Sequence, residues 1–181
     1  MATAALRRGL AIASALGAAG VIVVLALHGE RPGSGLARYE AAGIMLALDP
    51  AQVTAVEVRQ AGRRWRFERG AGAAWLHDGG GPAPDPTARA VEDGLRFLHG
   101  SAPQRALTPA EVAGIPLGEY GLAPPRYEVR VQDAAGAAFV IEFGALNSQG
   151  LAQYARVTGR DEILLLPGYV GRAWEAAIGQ P

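Results

Sequence analysis

From Gly9 to Leu27 the chain carries no charged residue, and the run closes on Val21-Ile22-Val23-Val24-Leu25. Wound as a helix at ~1.5 Å per residue it is roughly 28 Å long, close to the ~30 Å hydrocarbon thickness of a bilayer. A helix of this length that is apolar all round has no polar face to turn to water, unlike a helix on the surface of a small domain. The run predicts a single transmembrane helix over 9–27. Arg7 and Arg8 precede it, and Glu30, Arg31 and Arg38 follow. Positive charge is held on the cytoplasmic side, so residues 1–8 are expected in the cytoplasm and everything after His28 outside. Val24-Leu25-Ala26 also has the small-residue pattern that a signal peptidase accepts. The run exceeds the ~7–15 residues of a signal-peptide core, which favours a retained anchor. In both cases the rest of the chain is extracytoplasmic. Ala5, Gly9, Ala13 and Gly17 recur at every fourth position and form a smooth helical stripe, a candidate contact for another transmembrane helix.

Composition narrows the remainder. The chain has 181 residues, half of them apolar, which is enough for one packed domain beyond the leader. With no cysteine there is no disulfide framework, thiolate metal site, cysteine nucleophile or lipoprotein anchor. Seventeen basic and 17 acidic side chains cancel, which argues against a nucleic-acid partner. Every basic residue is arginine, and Gly and Pro are abundant, as GC-rich coding produces. This suggests a bacterium, hence an inner-membrane anchor with the carboxy-terminal domain in the periplasm.

Residues 28–50 read as a linker and juxtamembrane segment, opened by His28–Gly35 and closed at Asp49-Pro50; Tyr39 to Leu48 within it suits a short helix or strand. Residues 51–181 read as the periplasmic domain. Thr54, Val56 and Val58 alternate with Ala55, Glu57 and Arg59, turn at Ala61-Gly62, and return through Trp65 and Phe67, with a third strand at Trp75-Leu76. Asp85 as N-cap, Pro86 and the stripe Val91, Leu95, Leu98 predict a helix that leaves at Gly100. Thr108 and Glu111 have capping-box spacing before a single turn. In the bend Glu119–Pro125, Gly121 is expected at positive φ with Tyr120 and Leu122 packed back on the core. Strands follow at Tyr127–Val131, Phe139–Phe143, Ala152–Thr158 and Glu162–Leu166, then a closing helix over Tyr169–Ile178. The fold class is α+β: mostly antiparallel sheet with one or two packed helices, preceded by a single N-terminal transmembrane helix.

The ordered pieces Trp75-Leu76, Asp85 with Val91, Leu95 and Leu98, Glu119-Tyr120-Gly121-Leu122 with Pro124, Phe143-Gly144, Tyr154-Ala155-Arg156-Val157 and Ile163-Leu164-Leu165-Leu166 cover roughly residues 51–166. In this order they resemble an uncharacterised bacterial membrane-anchored periplasmic domain family, shared with auxiliary proteins of gliding-type ABC transporters. The resemblance implies an extracytoplasmic domain beside transport machinery and carries no catalytic residues. Larger relatives repeat the module, whereas one copy stands here.

The chemical inventory points to binding rather than catalysis. His28, His77 and His99 have no carboxylate at ligand spacing; Ser34, Ser101 and Ser148 have no nucleophile elbow; Gly70-Ala71-Gly72 and Gly79-Gly80-Gly81 lack the Lys-Ser/Thr of a phosphate loop. No enzyme activity, metal or cofactor is expected. Tyr39, Trp65, Trp75, Tyr120 and Trp174 either line a groove or, as aromatics at alternating strand positions usually do, belong to the core. Arg59, Arg63, Arg64, Arg66 and Arg69 gather on one hairpin, either as a face for an acidic partner or headgroups, or as cross-strand pairs with Glu57 and Glu68. Candidate partner-binding residues are Arg59, Arg63, Arg64, Arg66, Glu119, Tyr120, Asn147 and Gln149; Gly9, Ala13 and Gly17 are the candidate transmembrane contact. The expected role is a membrane-tethered module that binds other membrane or periplasmic proteins, such as an accessory subunit of an ABC-type transporter or other envelope complex, with a solute- or glycan-binding domain using Asn147, Ser148 and Gln149 as the alternative and a hydrolase with an unrecognised site as the third.

Overall fold

The computed structural model describes residues 43–78 and 80–179. The span 9–27, its stripe Gly9, Ala13, Gly17, the segment before it and Tyr39 lie outside the described residues. Among the described residues no helix is long and apolar enough to cross a membrane.

The domain is α+β, with one antiparallel sheet and two helices. Eight strands form the sheet: β1 (Val53–Gln60), β2 (Arg63–Arg69), β3 (Trp75–His77), β4 (Arg105–Leu107), β5 (Tyr127–Asp133), β6 (Ala138–Leu146), β7 (Ala152–Val157) and β8 (Ile163–Pro167). Their order is β3-β2-β1-β5-β6-β7-β8-β4, antiparallel at every junction. Helices α1 (Asp85–Gly100) and α2 (Gly168–Ala177) lie on one face. Val56, Val58, Phe67, Val129, Val131, Ile141 and Phe143 point there and pack with Val91, Leu95, Leu98 and Trp174. The period-two alternation of β5 is the direct expression of this covered face. Buried Tyr127 is the polar member of the layer. Its hydroxyl lies 3.1 Å from the Gly171 carbonyl and 3.3 Å from Gln153 Oε1, and Gln153 Nε2 donates to the Gly144 carbonyl at 2.9 Å. Burial, then the charge of Glu175, pushes the phenol well above its ordinary range, so it stays a donor.

The opposite face divides in two. Towards β8 it is covered by the segment after β4, where Tyr120 and Leu122 pack on Ile163, with Leu117 and Tyr154 alongside. Gly121 has φ 66°, and a Cβ there would lie 2.6 Å from the Ala145 amide. The capping box forms: Glu111 Oε2 accepts from the Thr108 amide at 2.8 Å, and the Glu111 amide donates to Thr108 Oγ1 at 3.4 Å. Towards β2 the face is open.

Three local expectations change. Gly43–Leu48 is neither helix nor strand. The amides of Gly43, Ile44 and Met45 bond the His99 and Leu98 carbonyls at the end of α1, and Ile44, Met45 and Leu48 are buried in the core, ahead of position 51. Asp85 is the first residue of α1 rather than its cap: Pro84 holds the cap position with extended backbone and no side-chain bond, and the helix ends through Gly100 into Ser101. The stretch after α1 contains β4, which pairs with β8 and makes eight strands where seven were expected.

Candidate functional site

The hairpin β1–β2 turns through Ala61 (φ 47°) and Gly62 (φ 78°), a two-residue loop with both φ positive. Such a turn matches the sheet's twist and fixes the register, so Arg59 stands opposite Arg64 and Glu57 opposite Arg66. On the other side of β1, Arg59 pairs with Glu128 and Glu57 with Arg130. Continuing through β5–β6 and β6–β7, one line of side chains crosses the open face: Arg64, Arg59, Glu128, Glu142, Arg156. These residues alternate along their strands with core positions such as Val58, Val129, Ile141 and Val157, which puts them on the open face.

Ion pairs knit the face. Glu57, 6% exposed, takes Arg59 Nε at 2.6 Å, with Arg64 and Arg66 each at 3.8 Å. Arg66 also meets Glu68 at 2.8 Å, and Arg156 holds Glu142 at 2.7 Å. Arg69 turns away towards Glu92 at 2.9 Å and lies over Trp75. The close pairs of the arginine cluster therefore run along a strand, Arg59 with Glu57 and Arg66 with Glu68, or to the helix, and the cross-strand contacts of Arg64 and Arg66 with Glu57 are longer.

These pairs do not account for the hairpin tip. There Arg59, Arg63 and Arg64 meet Arg126, brought by the Pro124-Pro125 lead into β5, around a groove of about 680 Å³. Arg63 has no carboxylate partner among the described residues and lies over the Trp65 ring at 4.6 Å. Arg126 reaches Glu175 only at 3.6 Å, and Arg64 is mostly in water. Glu128 is the one carboxylate in the lining; its Oε1 is buried without a hydrogen bond, 3.9 Å from Arg59. Planar guanidinium forks grip carboxylate or phosphate oxygens in pairs, so four around one groove suit an anionic group.

The other sequence candidates distribute around the same end of the sheet. Glu119 is exposed and has no ion pair among the described residues, while Tyr120 is buried with its ring edge-on to Tyr154 at 5.1 Å. Asn147 and Gln149 sit in the β6–β7 turn, three strand spacings or ~14 Å from the hairpin tip. Asn147 closes that turn: its Oδ1 accepts from the Leu151 and Ala152 amides at 3.0 and 3.1 Å. Gln149 is exposed. Arg66 lies outside the groove, beside a smaller cavity on the edge of β2. Arg126 and Glu128 were absent from the sequence candidates; only the pairing of β1 with β5, 67 or more residues apart, brings them in.

His77 Nδ1 lies 2.8 Å from the Asp78 carbonyl and His99 Nδ1 3.2 Å from that of Met45. Among the described residues no three His, Cys, Asp or Glu side chains converge as a metal site. Compared with known protein families, curated proteins and solved structures, the chain matches none.

Proposed function

We propose that this protein is a membrane-tethered, single-pass module of the bacterial inner membrane. Its periplasmic domain binds other envelope proteins without catalysis. The observation that carries the reading is the groove at the β1–β2 tip lined by Arg59, Arg63, Arg64 and Arg126, where Arg63 has no carboxylate partner among the described residues and Arg64 and Arg126 have only distant ones, at 3.8 and 3.6 Å. An acidic surface segment of a partner protein is the matching ligand. The uncharged run 9–27 supports the tether. The likeness to domains of gliding-type transporter auxiliaries supports an accessory subunit of an ABC-type transporter or a similar envelope complex.

The test is co-purification of the full-length chain in mild detergent, after cross-linking in cells, beside an R63E/R64E variant. A discrete envelope partner that is retained by wild type, released by salt and lost from the variant is the expected result. Equal recovery by both would remove the groove from the interaction. A carboxy-terminal reporter active only in the cytosol would remove the compartment.

A further inference from the structure

The arginine tip occupies one end of the sheet. At the other end β1 begins at Val53, paired with Asp133 at the close of β5, and β6 begins at Ala138. A separate cavity of about 390 Å³ lies there, within the size range of small-molecule pockets. Ile44, Met45, Leu46, Leu48 and Phe139 line it with apolar surface, and Arg160, from the turn between β7 and β8, is the single charged residue in the lining. Leu46 is exposed, a large aliphatic side chain left in water beside the cavity.

The backbone of this lining has little left for a polar ligand. The amides of Gly43, Ile44 and Met45 bond the His99 and Leu98 carbonyls, and the Leu48 amide bonds that of Met45. The Met45 carbonyl also meets His99 Nδ1. The Ala137 amide donates to Asp133 Oδ1, and its carbonyl accepts from the Asp133 amide. A sugar would find few partners for its hydroxyls here and a peptide few for its amides, and each group left unpaired would cost on entering. Arg160 is placed differently. Its Nη2 reaches the Ile44 carbonyl only at 3.5 Å and its Nη1 reaches Glu162 only at 3.7 Å, both longer than an ordinary N–H···O bond. The guanidinium is half-exposed and keeps donors for a closer acceptor.

We propose that this cavity binds a long-chain carboxylate, its alkyl tail against Ile44, Met45, Leu46 and Phe139 and its head on Arg160. The tail supplies affinity by leaving water, and the head supplies selection through a paired, charge-assisted bond. Asp161 and Glu162 follow Arg160 directly. A doubly charged head such as a phosphomonoester meets more repulsion from them than one carboxylate does. The site lies away from the arginine groove, and the proposal does not rest on the interaction-module reading.

The probe is dodecanoate with a diazirine near its methyl end, photolysed with the full-length protein in phosphatidylcholine nanodiscs, the labelled peptides being identified by mass spectrometry. Label on residues 43–48 or 137–139, competed by plain dodecanoate, is the expected result. The matching diazirine alcohol should label these residues about three- to tenfold less, each probe scaled to its label on the nanodisc scaffold, because it lacks the charge-assisted bond. Arg160→Gln should abolish the preference for acid over alcohol, and Glu162→Gln, which removes the competing carboxylate, should raise it. R63E/R64E should leave both labels unchanged. Absence of label from the two stretches, equal labelling by acid and alcohol, or a preference that survives Arg160→Gln overturns the proposal. Equal loss of both labels in Arg160→Gln also overturns it, since the arginine would then shape the cavity rather than hold the head.

Discussion

Gly94 on α1 lies against the indole of Trp174 on α2, so close that a Cβ at position 94 would stand 2.6 Å from two of its ring carbons. Trp174 is wholly buried, and the two helices meet through this contact. Gly94→Ala gains up to ~1 kcal/mol of helix propensity but overpacks the junction at a cost of about 1–3 kcal/mol or more. A lower urea midpoint with unchanged slope is expected; an unchanged or higher midpoint would show that the indole can shift freely.

Tyr127→Phe keeps the ring stacked on Phe143 at 4.8 Å and removes only the hydroxyl. The Gly171 carbonyl and Gln153 Oε1 then lose their shared donor in a dry site. Destabilisation of about 1–3 kcal/mol is expected from thermal or urea unfolding.

At the hairpin tip, Ala61 holds a left-handed backbone that disfavours a side-chain-bearing residue. Asn-Gly is the preferred pair for this turn, so Ala61→Asn should stabilise the domain by about 0.5–1 kcal/mol. A fall in unfolding midpoint would contradict the turn assignment.

Glu57→Gln separates the two roles of the open face. Its arginine partners are 37–60% exposed and regain water when released, so the loss should be about 1 kcal/mol rather than that of a deeply buried pair. Freed Arg59 and Arg64 should then hold acidic ligands more tightly, measured by the salt needed to release them.

Glu111 is held from 4.5 down to about 2, first by the Thr108 amide, then by Arg105 and the Thr108 hydroxyl. A depressed carboxyl stabilises the fold above its unfolded value and loses that contribution as pH falls through the folded one. The turn over 108–112 should therefore persist at pH 4 and open between about 4.5 and 2, followed through the Thr108 amide shift by NMR; in Thr108→Ala the carboxyl should titrate closer to its ordinary value.

How far these features were readable from sequence follows from their range. Tyr127, Val129 and Val131 declare their strand because a strand with one covered face must alternate. Val91, Leu95 and Leu98 declare α1 by the same reasoning at helical period. Arg105-Ala106-Leu107 is too short to show a period, and its pairing with β8 is set 56 or more residues away. Within Tyr39–Leu48, which suits a short helix or strand, Gly43 serves close approach: a Cβ there would lie 2.2 Å from the Leu98 carbonyl oxygen. The arginine hairpin was visible as composition. Its division into paired Arg66 and the groove-lining Arg59, Arg63 and Arg64 needed strand order, as did the arrival of Arg126.

The three amides of Gly43, Ile44 and Met45 that bond the end of α1 fasten the chain ahead of β1 to a helix rather than to a strand. A pull applied at Gly43 would meet this helix end, with buried Met45 beside it, before it reached β1.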